Sequence, residues 1–347
     1  MAVNIAEIAD SRQLREFMSA PTVGVIDCVG KVRGDILILG GSGKMGPELT
    51  EMIVRADATA RIKRTVSVAS SFRAPGERTA ELFAEIGVKV FKGELTDAEF
   101  LDGLPDAENV IYMTGFKFGS AYDWEKAVQV NCILPYLVGE KYRHSKIVVF
   151  SSANPYACTT LESGGSTEGD ALDPKGIYGW SIVARESSFA ITAKKHPAQS
   201  SCFFRLTYAQ HLAYGVIVDL AKYILEGKEI SLSVPYVNLV SQRDANDRAI
   251  RALEICSNPP SILNVSGPVV AVRDIVKKLG EMLGRKPLLV GEEPKLSQVI
   301  NDDFCVRRFG NYHDTLEDIL TAAVNWVKNS GEYWGKPTKF GEVKREY

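Results

Sequence analysis

The residues whose spacing most directly suggests chemistry are the glycines of Gly40-Gly-Ser-Gly43-Lys-Met-Gly46, which follow an apolar run and open an amphipathic one. Glycines so placed let the backbone turn tightly and approach a pyrophosphate, while the helix N-terminus behind them offers free N–H groups. Glycine triplets also mark plain turns. Here the predicted strand before and the predicted helix after favour a dinucleotide loop, with Gly40, Ser42, Gly43, Lys44, Met45 and Gly46 as its contacts. Lys44 does not make this a nucleotide-triphosphatase loop, because the Gly-Lys-Ser/Thr order is missing. An NAD site usually places an acidic residue after the next strand, for the ribose hydroxyls. Arg64-Thr-Val-Ser-Val-Ala-Ser-Ser-Phe-Arg73 has none; Ser70, Ser71 and Arg73 are either a cradle for a 2′-phosphate or plain loop residues. That segment favours NADP over NAD.

Other chemistries find little support. Six cysteines and four histidines are scattered through the 347 residues with no C-x-x-C pair, so the pattern supplies no metal ligand set. Scattered cysteines of this kind suit reduced, buried thiols in a cytoplasmic protein. Lys plus Arg total 41 and Asp plus Glu 43, a net charge of -2, which provides no overall basic field for nucleic acid or an anionic membrane. The apolar runs are too short to cross a bilayer, and the first residues lack the unbroken apolar core of a signal peptide.

Short apolar runs at 36–39, 65–69, 88–91, 110–114, 147–151 and 202–206 alternate with helical patterns at 45–56, 76–86, 97–101, 122–143 and 177–195. Near-continuous apolar strands separated by helices predict strand-helix-strand units and a parallel sheet covered on both faces. Residues 1–34 read as a helical appendage, 35–206 as the dinucleotide-binding domain, and 207–347 mainly as a smaller substrate-binding lobe, some of which returns to the first domain. That lobe shows helical patterns at 214–225, 244–255, 272–283 and 315–328 and a strand at 262–266.

The order of landmarks resembles the extended short-chain dehydrogenase/reductases of the NAD-dependent epimerase/dehydratase group. They are the glycine loop; Gly93-Glu94-Leu95-Thr-Asp97; Thr114-Gly115; Asn131; Val148-Val-Phe-Ser-Ser-Ala-Asn-Pro-Tyr156; Tyr178-Gly-Trp-Ser-Ile182; and Asn264-Val-Ser-Gly-Pro268. The resemblance spans roughly residues 35 to 330. It implies an α/β fold, a Rossmann-type doubly wound parallel sheet with a C-terminal substrate lobe. It further implies cofactor contacts at Glu94, Leu95, Thr114, Gly115, Asn131 and Tyr178, in addition to Ser70 and Arg73. Ser152 takes the place of the residue that polarises the reacting oxygen, and Tyr178 that of the proton-transferring tyrosine. Asn154 and Tyr156, in the loop after the fifth strand, are either substrate contacts or turn and packing residues, and Arg205 falls on the substrate side. The Asn expected three residues after Arg205 is absent, which points toward free sugars, sugar acids or polyols rather than nucleotide sugars.

One departure stands out: the family's lysine, four residues after the tyrosine, is Ile182. An unperturbed tyrosine has a pKa near 10, so about one molecule in a thousand is tyrosinate at pH 7. Losing the cation would cost roughly two to three orders of magnitude of base catalysis. Lys117, just past the fourth strand, lies on the rim where open parallel sheets bind ligands and is the candidate replacement, or else an ordinary surface lysine. The expected function is an NAD(P)-dependent oxidoreductase or epimerase of a sugar or polyol, the alternative a non-catalytic dinucleotide sensor or scaffold. The helices at 122–143 and 177–195 resemble a homodimer pair, and Leu134, Tyr136, Leu137, Ile182, Val183 and Phe189 either meet a second copy or pack within the subunit.

Overall fold

The computed structural model describes residues 5–73, 77–117, 119–335, 338 and 340. The apolar runs become strands β1 (Ile36–Leu39), β2 (Val66–Ser70), β3 (Lys89–Lys92), β4 (Asn109–Tyr112), β5 (Lys146–Ser152) and β6 (Ser200–Leu206). Every residue of β1, β2 and β4 is buried, whereas β3 is half-exposed. That difference follows from position: β3 is an edge and the others are interior. After β6 come the short β7 (Tyr208–Gln210), β8 (Glu229–Ser231) and β9 (Tyr236–Ser241), then β10 (Ser261–Val265), β11 (Val269–Ala271) and β12 (Leu288–Val290).

The main sheet has seven parallel strands in the order β10-β6-β5-β4-β1-β2-β3. This is a Rossmann-type doubly wound sheet, as expected. Its order reverses between β1 and β4, so the crevice at their carboxyl ends is where such sheets bind ligands. One face is filled by Ile36, Ile38, Leu49, Ile53, Val68 and Ile111, and the other by Leu37, Leu39, Val110, Tyr112, Leu134 and Phe189.

Residues after 206 serve two structures. β10 completes the main sheet, while β7, β9 and β11 form a separate three-stranded sheet and β8 pairs with β12. Helices Val216–Glu226, Val272–Leu283 and Leu316–Lys328 pack Leu220, Ile224, Ile275, Leu279, Leu320 and Trp326 into the lobe's own core. The short strands were not anticipated, since three residues carry no readable alternation.

The N-terminal stretch has two helices where one was expected. Asp10 caps Ser11–Met18, accepting from Gln13 N, and Thr22 caps Val23–Lys31, accepting from Val25 N. Leu14, Phe17 and Met18 join the lobe's core, while Val25, Cys28 and Val29 join a core on the main sheet. The segment therefore ties the two halves together.

Candidate active site

β1 ends at Leu39 and the chain turns at Gly40, with φ +84° and its N–H donating to Ala69 O at 2.8 Å. A Cβ there would sit 2.5 Å from Thr114 Oγ1 and 2.9 Å from Thr114 N, so only glycine fits. At Gly46 a Cβ would lie 2.2 Å from Gly41 O, whereas at Gly43 nothing comes closer than 3.6 Å. The outer glycines close the turn and the middle one leaves its face open. Helix Gly46–Ala60 starts at the loop, directing its unpaired N–H groups there.

Beside this turn lies a cavity of about 750 Å³, lined in part by Gly40, Ser70, Ser71, Arg73, Glu94, Leu95, Thr114 and Gln129. That size suits a nucleotide-sized ligand. Thr114 Oγ1 is buried with no hydrogen-bond partner among the described residues, which fits a ligand group bonded there. The glycine loop, helix N-terminus and orphaned hydroxyl together suit a dinucleotide. Ser42 and Ser70 share a hydrogen bond at 2.6 Å, and Arg73 pairs with Glu94 at 2.7 Å. The ammonium of Lys44 sits 3.2 Å from the ring centre of Tyr214, turned toward the smaller lobe. Met45 packs against the core beneath the loop and accepts from Asn246 Nδ2 through its carbonyl at 3.4 Å.

Tyr178 stands in the first turn of helix Gly176–Lys195, and Ser152 ends β5. The Ser152 hydroxyl donates to Asn154 Oδ1 at 2.9 Å and lies near enough to the Tyr178 hydroxyl to favour its ionised form. Burial raises the Tyr178 pKa, while the Arg185 guanidinium and the Ser152 hydroxyl pull it back. Lys117 completes the group: its Nζ is 5.3 Å from the Tyr178 ring centre, and burial pushes its pKa down to about 8. The structure thus brings together three residues that lie far apart in the chain.

Asn131 explains how Lys117 is held. It lies in a π-helical turn, Gln129–Ile133, of the kind that often marks a functional position. Its Oδ1 accepts from Phe116 N at 2.9 Å and its Nδ2 donates to Phe116 O at 2.7 Å and Ser181 Oγ at 2.9 Å. Asn131 thereby clamps the backbone next to Lys117. Arg185 Nη2 also donates to Asn131 Oδ1, at 2.5 Å. Gly115 faces that arginine, because a Cβ there would lie 2.6 Å from Nη2. Ile182 is fully buried.

Other expected residues are placed differently. Tyr156 and Arg205 are 1% and 3% exposed, respectively, and belong to an interior network. Arg205 Nη1 donates to Tyr156 Oη at 2.6 Å, and Tyr156 Oη donates to Asn264 Oδ1 at 2.9 Å. Arg205 Nε and Nη2 form a fork on Glu186, at 2.9 and 2.6 Å. Their polar atoms are engaged inside the protein. Asn154 is half-buried in the loop after β5, where it accepts from Ser152 Oγ at 2.9 Å. Gln298, unnoticed in the sequence, pins that loop by donating to Asn154 O at 2.9 Å and Tyr156 O at 3.0 Å.

The helix pair expected to mediate dimerisation splits by face. Leu134, Ile182 and Phe189 are buried, Val183 is half-buried, and Tyr136 and Leu137 are exposed. Trp124, Ile133, Trp180 and Ile191, not singled out for this face, are 58%, 52%, 62% and 57% exposed. Among the described residues no group of three or more His, Cys, Asp or Glu is arranged for a metal ion, and no helix is long and apolar enough to cross a membrane.

No protein-family model matches the chain, and no curated protein is similar to it in sequence. Solved structures are similar in fold. UDP-glucuronic acid 4-epimerase from Bacillus cereus, with NAD and a substrate analogue, aligns with a TM-score of 0.71 at 16% identity, covering 85% of this chain and 99% of its own. UDP-glucose 4-epimerase from Thermus thermophilus, with NAD, aligns with a TM-score of 0.67 at 18% identity and the same coverages, 85% and 99%. dTDP-glucose 4,6-dehydratase from Bacillus anthracis, with NAD, aligns with a TM-score of 0.70 at 18% identity, covering 85% of this chain and 96% of its own.

Proposed function

We propose that the chain is a dinucleotide-dependent oxidoreductase or epimerase of the extended short-chain dehydrogenase/reductase type, acting at a carbinol carbon of a sugar, sugar acid or polyol. The observation that carries this reading is Lys117 Nζ 5.3 Å from the ring centre of Tyr178, in the segment that follows Thr114 of the glycine-loop cavity, with the Ser152 hydroxyl acting on the same tyrosine. The bound dinucleotide would supply hydride transfer. Gly40, Ser42, Gly43, Lys44, Met45 and Gly46 hold its diphosphate, and Ser70, Arg73, Glu94, Leu95, Thr114 and Gly115 line the rest of the site. Ser152 orients the substrate oxygen, Tyr178 accepts or returns its proton, and Asn154 bounds the substrate side. Lys117 provides a cation in place of the family's lysine, from the sheet's rim instead of the helix.

The neighbours' NAD complexes favour NAD, and Glu94 partly neutralises Arg73, which weakens the case for a 2′-phosphate. Their sugar-nucleotide substrates place UDP- and dTDP-sugars in the substrate screen alongside free sugars and polyols. The smaller lobe is the substrate-binding part, and a second copy of the chain covers the exposed Trp124, Ile133, Tyr136, Leu137, Trp180 and Ile191. Sedimentation of the parent against Trp180→Glu tests the dimer. A cytoplasmic setting suits its reduced cysteines.

Fluorescence titration with NADH and NADPH is the first test of this reading, after removal of co-purified nucleotide. Saturable binding followed by turnover in the substrate screen supports it; absence of binding overturns it. Buried Ile182 favours one second reading, a dinucleotide sensor without turnover. Tight binding with no turnover of any screened sugar would select that reading.

A further inference from the structure

Helix Gly176–Lys195 carries a cation that the sequence pattern does not announce. Arg185 is seven residues from Tyr178, and two turns of an α-helix return it to the same face. Its side chain lies inside the protein, and the residue is 4% exposed. Nη1 donates to Phe150 O at 2.8 Å and Nη2 to Asn131 Oδ1 at 2.5 Å, both neutral acceptors. Nε is buried without a partner. A buried guanidinium is normally met by a carboxylate, as Arg205 is by Glu186 at 2.6 Å. None of the ion pairs among the described residues involves Arg185.

The surrounding backbone is shaped for this group. Gly115 leaves the space that Nη2 fills, because a Cβ there would be 2.6 Å away. Asn131 holds both the guanidinium and the Phe116 backbone next to Lys117. Ile182 lies between Tyr178 and Arg185 in the chain and presents no charge.

We infer that Arg185 supplies to Tyr178, from inside the fold, the positive charge that position 182 lacks, and so acts as a positioning residue for the tyrosine hydroxyl. On the same helix face, the guanidinium counters the upward pull of burial on the Tyr178 pKa. Among the described residues, Arg185 acts on Tyr178 from its own helix and Lys117 from the loop after β4, while the guanidinium also faces the Tyr112 ring, 5.9 Å from Cζ to ring centre, and Cys132. The two cations differ in kind: a guanidinium keeps its charge at any pH the fold survives, whereas Lys117, with a pKa of about 8, does not. The inference rests on the reading of Tyr178 as the proton-handling group.

The test follows the 13Cζ resonance of Tyr178, assigned with Tyr178→Phe, through an alkaline titration of the whole chain. Circular dichroism checks the fold at each pH. Arg185→Gln keeps hydrogen-bond donors and removes the charge. It is expected to titrate at higher pH, with about tenfold less tyrosinate at any pH below the midpoint. Arg185→Lys is expected to restore the parent curve. So is the double variant Ile182→Lys/Arg185→Met, which moves the cation back one turn and which a purely structural arginine would not rescue. An unchanged curve in folded Arg185→Gln overturns the inference. Should that variant unfold, the double variant decides: a parent-like curve supports the inference, and a more alkaline one overturns it. Full turnover in Tyr178→Phe alongside the shifted Arg185→Gln curve would reject the catalytic reading and leave the Arg185 assignment standing.

Discussion

Two polar clusters hang from the same helix, two turns apart, and they are built on opposite rules. Around Glu186 and Arg205 every charge is met: a two-point fork joins them, and Tyr156 and Asn264 take up the remaining polar atoms. Around Tyr178 two cations, Lys117 and Arg185, face one neutral hydroxyl with no carboxylate paired to either guanidinium end. A buried guanidinium without a carboxylate costs stability, and such a group persists where a reaction or ligand uses it. On the proposed reading, the closed cluster is scaffold and the open one is the working site.

The sharpest way to break that comparison is to remove one hydroxyl. Tyr178→Phe is expected to lower turnover by about 10³-fold with little change in melting temperature, read as dinucleotide absorbance and thermal unfolding on one preparation. The converse holds in the closed cluster. Arg205→Met leaves Glu186 buried and unpaired and is expected to cost about 3–5 kcal/mol in urea unfolding. Dinucleotide affinity of the folded fraction should stay within about twofold; a stable Arg205→Met protein with lost turnover would instead return Arg205 to the substrate side.

Much of this was legible from sequence for identifiable reasons. The buried parallel strands appear as unbroken apolar runs, and the glycine loop reads clearly because tight turns admit few residues. Tyr178 and Lys117 are legible as chemically capable residues from their positions beside strand ends, and the fold sets Lys117 Nζ 5.3 Å from the Tyr178 ring centre. The misses share one cause: sequence shows that a residue is polar or apolar, but not which way it faces. Tyr156 and Arg205 look like site residues and point inward, while Ile182 and Phe189 look like interface residues and are buried. Helix Val23–Lys31 was missed because Gly24 and Gly30 weaken its helical signal, although Thr22 is a readable cap. Arg185 was within reach, since a cation at i+7 from the tyrosine occupies the face that Ile182 leaves uncharged.

Within the open cluster the two cations can be told apart by pH. Carbinol oxidation needs tyrosinate, whose fraction rises tenfold per pH unit below the Tyr178 pKa, which burial raises. Lys117 is charged only below about 8. The two trends oppose each other, so kcat/KM should climb to about pH 8 and then flatten. Lys117→Met is expected to be about tenfold slower at pH 7 and to keep climbing past pH 8, because the group whose loss causes the flattening is gone. A plateau that survives in Lys117→Met would assign it to another residue.

The smallest effect concerns a charge pair that is open to solvent and yet lines the cavity. Arg73 and Glu94 meet at 2.7 Å with side chains 70% and 48% exposed. An exposed pair of this kind contributes little to folding, so Glu94→Gln should leave the melting temperature unchanged. It does alter what a ligand meets, because the carboxylate both occupies Arg73 and repels a second phosphate. Glu94→Gln is expected to improve NADPH binding relative to NADH by about three- to tenfold at low salt, and by less at high salt, where screening is stronger. Arg73→Ala should cancel that gain. An NADPH/NADH ratio unmoved by both variants would show that this end of the cavity does not read the 2′ position. Discrimination would then rest with Ser70, whose hydroxyl is engaged with Ser42 at 2.6 Å.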